Sequence, residues 1–184
     1  MAYTPRLNDT GMGNNPKWTV LNPFYQSGYG LPNCTCYAWG RFWEISDPDN
    51  QNINRPNLSL GNAKEWWGYN IANNIYEYGQ TPQLGATICF APEAGSTRVG
   101  HVATVEVIYS DHITTSNSDY NGRYFYTEDL YPDANGKYHH DVYTSQGFIY
   151  NPWAEQPAPP TPTGTRKRKF PWAVAWNHWN GFKH

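Results

Sequence analysis

The chain has 184 residues, which fits one domain of ordinary size with tails. Its formal net charge of -2 gives no overall basic surface of the kind that nucleic-acid-binding proteins carry, so nucleic acid is not expected as a partner. Aromatic residues make up 17% of the sequence and charged residues 15%, which suits a core of a few large side chains and a surface that can contact carbohydrate.

Cysteine content and hydropathy limit the class of protein further. Three cysteines, an odd number, argue against a disulfide framework and leave at least one free thiol. No run of about 18 apolar residues occurs, so no transmembrane span is expected. The first residues also lack the apolar stretch of a signal peptide.

The N-terminal part carries no catalytic signal. Residues 1–19 are polar and rich in Gly and Asn, and they are predicted to form an extended arm. Residues 22–30 are aromatic and glycine-rich, a pattern typical of a surface loop. This loop is expected either to lie across a substrate cleft or to pack over the core, and the pattern leaves both open.

Residues 33–45 are predicted to form a helix that begins at Cys34. Asn33 is a good N-cap residue, and the helix N-terminus attracts negative charge, so the pattern predicts a lowered pKa for the Cys34 thiol. Tyr37 and Arg41 belong to a face with helical spacing that is expected to pack on the core. A cysteine at such a position is either a small buried residue or a nucleophile, whereas Cys36 is interpreted as packing.

The following segment is a turn and then a second helix start. Residues 47–54 carry acidic and amide side chains, but they lack the ligand spacing, glycine and glutamate of an EF-hand loop, so a solvated turn is expected rather than a calcium site. Residues 62–65, Asn-Ala-Lys-Glu, have the N-cap and N3-glutamate signature of a helix start.

Three strands follow in the prediction. Residues 86–90 form one strand, on which Cys89 is expected to be a buried apolar residue. Residues 99–108 alternate and are rich in β-branched side chains, with His101 at the start of the strand as either a structural histidine or a general base. Residues 111–120 form the next strand and include Ser-Asn-Ser-Asp at 116–119.

The pair His139 and His140, followed by Asp141, raises the question of a metal site. Adjacent histidines on a strand point to opposite faces, and the sequence shows no second ligand cluster, so no zinc is expected here.

Several of these segments resemble motifs of the CHAP family, the cysteine- and histidine-dependent amidohydrolases and peptidases that cut bacterial peptidoglycan. Residues 29–41, 60–67, 100–103 and 147–152 are similar to its cysteine motif, second helix, histidine motif and closing strand, in the family's order. The resemblance implies an α+β, papain-like CHAP fold, with N-terminal helices packed on a small antiparallel sheet, over residues 20–153.

The resemblance also implies roles for four residues. Cys34 is the expected nucleophile and His101 the general base that takes its proton. Many members have Ser-Glu-x-Asn where this chain has residues 116–119, so the amide and the acid have exchanged places. Asn117 is therefore predicted to orient His101, with Asp119 as a second polar group. Some members bind calcium near the active site, but no metal or organic cofactor is expected here.

The C-terminal part differs in composition. Residues 154–165 read as a Pro/Thr-rich linker, and residues 166–184 form a basic, Trp-rich tail. Trp172, Trp176 and Trp179 would share one face of a short helix beside the basic residues 166–169. The tail is expected either to contact an envelope or a phage structural protein, or to dock back on the domain.

The function implied is a peptidoglycan hydrolase that cleaves an amide bond, as an amidase or an endopeptidase. Without a signal peptide, a phage endolysin would pass from the host cytoplasm to the cell wall through a holin. Two alternatives stay open: a virion-associated tail hydrolase used at infection, and a catalytically silent protein that binds the wall or builds the tail.

Overall fold

The computed structural model describes residues 3–157; residues 158–165 of the predicted linker and the predicted tail at 166–184 lie outside the described residues. The described helices are α1 (Pro23–Gln26), α2 (Cys34–Ser46) and α3 (Trp66–Asn73), with 3-10 turns at Met12–Asn14 and Ala63–Glu65. The strands are β1 (Tyr78–Gly79), β2 (Thr87–Ala91), β3 (His101–Ile108), β4 (Ile113–Asn117), β5 (Tyr126–Leu130), β6 (His139–His140) and β7 (Tyr143–Ile149).

The strands form one antiparallel sheet in the order β1-β7-β2-β3-β4-β5, and β6 pairs with β7 beside β1. Helices α2 and α3 precede all the strands of the sheet in the sequence. This arrangement confirms the predicted α+β, papain-like fold. Among residues 3–157, no helix is long and apolar enough to cross a membrane.

Helix α2 begins where the sequence predicts, because Asn33 caps it. The Asn33 backbone is extended, and its Oδ1 accepts hydrogen bonds from the backbone N–H groups of Thr35 and Cys36. The predicted packing face with Tyr37 and Arg41 is buried, and so is every other residue from Cys34 to Trp43. The helix is enclosed on the side away from the sheet as well.

The N-terminal residues provide that second cover. Trp18 is fully buried and its indole N–H donates to the carbonyl of Tyr37 at 3.1 Å. A Cβ added to Gly40 would lie 2.4 Å from the Trp18 ring, which confirms that this glycine permits close packing. The segment before residue 20 therefore lies against the domain, while the boundary at residue 19 stays a prediction.

Strand β3 separates two apolar clusters. Val102 belongs to a cluster between the sheet and α2, together with Trp39, Phe42 and Trp66. Ala103 and Val105 face the other side, in a cluster that includes Phe90. Because side chains alternate along a strand, His101, the first residue of β3, shares the face of Ala103 and Val105.

The second helix starts differently from the prediction. Residues Ala63–Glu65 form a 3-10 turn before α3, and Asn62 makes no side-chain capping hydrogen bond. Instead, the Asn62 amide donates to Glu65 Oε1 at 3.2 Å. The predicted capping box is therefore not formed.

Candidate active site

Cys34 is the first residue of α2 and lines a cleft of about 410 Å³. Its side chain is only 8% exposed. The backbone N–H groups of Val102, Thr35 and Cys34 itself point at the thiol, where hydrogen bonding to the thiolate acts to lower its pKa. The contact with Val102 places the thiol at the start of β3, one residue from His101.

The prediction of a lowered Cys34 pKa is wrong for the free protein. Burial raises the pKa of this thiol to about 11, and the three N–H groups offset only part of that effect. A thiolate loses more hydration in this site than the helix N-terminus restores. Cys34 is therefore held as a neutral thiol at neutral pH and needs a base to take its proton.

His101 is fixed by the strand that follows it. Its Nε2 lies 3.0 Å from Asn117 Oδ1. The other end of the Asn117 amide donates to Thr115 Oγ1 at 3.0 Å, which orients Oδ1 toward the ring. His101 Nε2 therefore carries the hydrogen, by inference from this network, and Nδ1 keeps the lone pair that a base needs.

The His101 ring is held in its neutral form. Burial lowers its pKa to about 4, and the nearby His140 acts in the same direction, while the Asn117 hydrogen bond opposes them. An imidazole with this pKa is unprotonated at neutral pH and can accept a proton. The free site therefore pairs a neutral thiol with a neutral base.

Asp119 lies beside both of these groups without bonding to either. Its carboxylate accepts from Tyr126 Oη at 2.6 Å and from Arg123 Nε at 3.1 Å. Its charge acts to raise the pKa of both Cys34 and His101. The structure thus brings Cys34, His101, Asn117 and Asp119 together, and their catalytic roles stay predictions.

The side chains of residues 116–119 point alternately toward α2 and toward His101, so this segment connects the two. Ser116 Oγ accepts from Tyr37 Oη at 2.7 Å, and Ser118 Oγ accepts from the Asn33 backbone N–H at 3.0 Å. Asn117 and Asp119 face the imidazole instead. Because successive side chains point in opposite directions, this one stretch holds both the start of α2 and the base.

Gly100, next to His101, serves backbone packing. It has a φ of +82°, and a Cβ there would lie 2.5 Å from the carbonyl oxygen of Phe90 and 2.7 Å from the backbone nitrogen of Lys64. Gly100 makes room for β2 and for the turn before α3.

Two neighbours of the base, His140 and Glu128, are not predicted by the sequence. The His140 ring stacks on His101 with 4.0 Å between ring centroids and 20° between planes. His140 Nδ1 lies 2.7 Å from Glu128 Oε2. The adjacent histidines point apart as the sequence predicts, since His139 contacts Asp133 instead. Only the pairing of β6 with β7 brings His140 to His101.

The expectation that His140 has no second ligand cluster beside it is wrong. One possible ligand atom from each of His101, Asp119 and His140 lies within 4.8 Å of the other two. However, nearly parallel stacked rings cannot both direct a lone pair at one ion, because a metal lies in the plane of each imidazole that binds it. The arrangement suits ring stacking better than coordination.

The turn at 47–54 does not fit a calcium ion either. Asp47 is 1% exposed, and its carboxylate accepts from the backbone N–H groups of Gln51 and Asn52 and pairs with Lys17 at 3.2 Å. The turn is thus built around a buried carboxylate rather than fully solvated. Both carboxylate oxygens of Asp47 are already bonded within the protein and are not available to a calcium ion.

The cleft over Cys34 has aromatic and apolar walls. Tyr29 and Tyr120 are 54% and 60% exposed, and their ring centroids lie 6.5 Å apart. Leu60 and Val99 add exposed apolar surface. None of the described residues that line this cleft is charged. The aromatic loop at 22–30 supplies two of its walls, Phe24 and Tyr29, so it does lie along the cleft.

The other two cysteines are structural neighbours of the core. Cys36 and Cys89 are fully buried, and all three cysteines are free. Burial raises the pKa of Cys36 to about 12 and that of Cys89 further. The interpretation of both as packing residues is confirmed.

The crystal structure of an N-acetylmuramoyl-L-alanine amidase from Staphylococcus aureus is similar, with 22% sequence identity and a TM-score of 0.43 over 77% of this chain. The present chain covers 37% of the length of that protein. No curated protein sequence matches the chain.

The comparison with protein families gives a match over more than half of the chain. The CHAP domain matches residues 24–121, which is more than half of the 184 residues and includes Cys34, His101, Asn117 and Asp119. The chain belongs to the CHAP domain family.

Proposed function

We propose that this protein hydrolyses an amide bond of bacterial peptidoglycan, with Cys34 as nucleophile and His101 as general base. One observation carries the proposal. The Cys34 thiol lines an open cleft and contacts the N–H group of Val102, one residue from a neutral imidazole whose Nε2 is held by Asn117. A substrate amide entering the cleft would meet a nucleophile and a base at the same point.

The first half of the reaction forms an acyl-enzyme. His101 Nδ1 takes the proton of the Cys34 thiol as sulfur attacks the amide carbon. The backbone N–H group of Cys34, which lies at the thiol, would stabilise the tetrahedral oxyanion. The imidazolium then gives its proton to the leaving amine, the C–N bond breaks, and a thioester on Cys34 remains.

The second half releases the acid. His101, neutral again, takes a proton from a water molecule that attacks the thioester carbon, and the Cys34 sulfur leaves with that proton. Asn117 holds the ring in the same orientation throughout, because its amide is itself fixed by Thr115. This sequence of steps uses only side chains and backbone groups of the site.

The test is loss of turbidity of purified Gram-positive cell walls, with new amino groups and new reducing ends measured together. We expect wild type to release amines without reducing ends and Cys34→Ala to release neither. Cys36→Ala is the matched control, because it removes a thiol two residues away and leaves Cys34 in place. Wild type that is inert on several wall chemotypes, or Cys34→Ala that clears walls as fast as wild type, would overturn the proposal.

We also propose that the biological role is that of a phage endolysin. Host cells that express the protein should lyse only when a holin is expressed with it. Detection of the protein in purified virions would favour the virion-associated role instead. Mass analysis of the released fragments would identify the bond that is cut.

A further inference from the structure

His140 is the closest ring neighbour of the proposed general base. The His101 and His140 centroids are 4.0 Å apart and the two planes differ by 20°. Phe90 contacts both rings, with its centroid 6.1 Å from His101 and 5.8 Å from His140. One face of the His101 imidazole is therefore covered by a second imidazole, in a corner closed by a phenyl ring.

His140 is itself held from a different strand. Its Nδ1 lies 2.7 Å from Glu128 Oε2, and its side chain is 11% exposed. Glu128 belongs to β5 and His140 to β6, which lie toward opposite edges of the sheet. The hydrogen bond between them shows that the sheet curls enough for these edges to meet beside His101.

We propose that His140 is a positioning residue for the His101 general base: its ring stacks on that of His101, and Glu128 fixes its orientation. The inference rests on the proposed function, because it concerns the base of the same reaction. Asn117 fixes the Nε2 end of the His101 ring, whereas His140 restricts rotation of the ring out of its plane. The two contacts together direct Nδ1 to one place.

The same stacking excludes water from the ring. A buried imidazole that is covered on its face is costly to protonate, so His140 helps to keep His101 neutral until the thiol proton arrives. The charged groups that face the pair are Glu128 from β5 and Asp119 from the segment after β4. Both carboxylates favour imidazolium, which makes the covering ring more important for the free enzyme.

Four variants separate positioning from a general structural effect. His140→Ala removes the ring, and His140→Phe keeps a stacked ring but loses the bond to Glu128. Glu128→Gln keeps an oxygen acceptor for His140 without the charge. His139→Ala is the matched control, because this neighbour is half exposed and contacts Asp133 away from the site.

The first readout is the pKa of His101, which is measured by an NMR titration of its ring nitrogens in the full chain. We expect the pKa to rise in the order wild type, His140→Phe, His140→Ala, and to be unchanged in His139→Ala. The second readout is turnover of a soluble peptidoglycan fragment. We expect kcat to fall about tenfold in His140→Ala with little change in KM, and most of this loss to be restored in His140→Phe.

Two results would overturn the proposal. One is a His101 pKa and a kcat in His140→Ala that equal those of His139→Ala. The other is stoichiometric metal in the purified protein, with activity lost in EDTA and restored by zinc chloride, since His140 would then be a ligand. Should His140→Ala not fold, His140→Phe and Glu128→Gln decide the question through the same His101 pKa.

Failure of this proposal can be told apart from failure of the proposed function. The NMR titration of His101 needs no substrate, so it tests the stacking even if wild type does not clear cell walls. Conversely, cell-wall hydrolysis that depends on Cys34 but is equal in His140→Ala and wild type would leave the function in place and remove His140 from it.

Discussion

Arg41 and Glu106 fix the distance between the two halves of the active site. Arg41 Nε and Nη2 donate to the two oxygens of Glu106, each at 2.9 Å, and Glu106 is completely buried. Arg41 is on the helix that begins at Cys34, and Glu106 is on the strand that begins at His101. The ion pair therefore connects the nucleophile's helix to the base's strand two turns away from the chemistry.

Replacing Arg41 with Met should destabilise the protein by about 3–5 kcal/mol, because it leaves the Glu106 carboxylate buried without its cation. Tyr3 and Ser116 also bond to this carboxylate and cannot neutralise it. Urea unfolding measures the change. Arg98→Met, at an exposed position, is the control and should alter stability by no more than about 0.5 kcal/mol. Equal stabilities of the two variants would contradict the role assigned to the pair.

Alkylation of Cys34 by iodoacetamide should be slow at pH 7 in the free protein and should accelerate as the pH approaches the thiol pKa of about 11. The reason is that only the thiolate reacts and burial disfavours it. Peptide mapping by mass spectrometry distinguishes Cys34 from the fully buried Cys36 and Cys89. A rate that already reaches its plateau near pH 6 would instead show a preformed thiolate.

Asn117→Ala should lower kcat by about 10- to 100-fold, because His101 loses the acceptor that fixes its tautomer. Asn117→Asp should raise the pKa of His101, since a carboxylate stabilises imidazolium. Its activity should therefore be lost at a higher pH than that of wild type as the solution is acidified. The control is Asn73→Ala, whose side-chain amide donates to the carbonyl of Tyr69 on the surface. An unchanged acid limb in Asn117→Asp would argue against His101 as the base.

Removing Tyr29 or Tyr120 should weaken substrate binding rather than the chemical step. Both rings are exposed walls of the cleft, so their loss should not affect folding. We expect KM to rise about 2- to 10-fold with kcat nearly unchanged, in line with one lost aromatic contact. Tyr131→Ala, which removes a ring of similar exposure that does not line the cleft, should behave as wild type. A fall in kcat alone would contradict this assignment.

Stability should fall on acidification in a way that depends on His101. Its pKa is about 4 in the folded protein, below the ordinary value of 6.5, so the unfolded chain binds more protons between these two values. The free energy of unfolding should therefore decrease as the pH falls from 6.5 toward 4, by up to about 1.4 kcal/mol per pH unit from this group. Urea unfolding at several pH values should show a smaller decrease for His101→Gln than for wild type. Equal slopes would show that the ring is protonated in the folded state.

Elements that rest on local chemistry can be predicted from the sequence. Asn33 predicts the start of the helix, because an N-cap side chain bonds within its own turn, and alternation of apolar residues predicts the strand that begins near His101. The order of the family motifs then placed Cys34, His101, Asn117 and Asp119 in one domain.

Properties that depend on residues distant in the chain follow only from the folded structure. The pKa of Cys34 is raised rather than lowered, because burial by the surrounding layers outweighs the helix N-terminus. Helix α2 is enclosed rather than amphipathic, because Trp18 covers its outer side. His140 meets His101 only after β6 pairs with β7 and the sheet curls toward β5. Such contacts depend on packing between segments, and no local pattern in the sequence encodes which distant side chain will arrive.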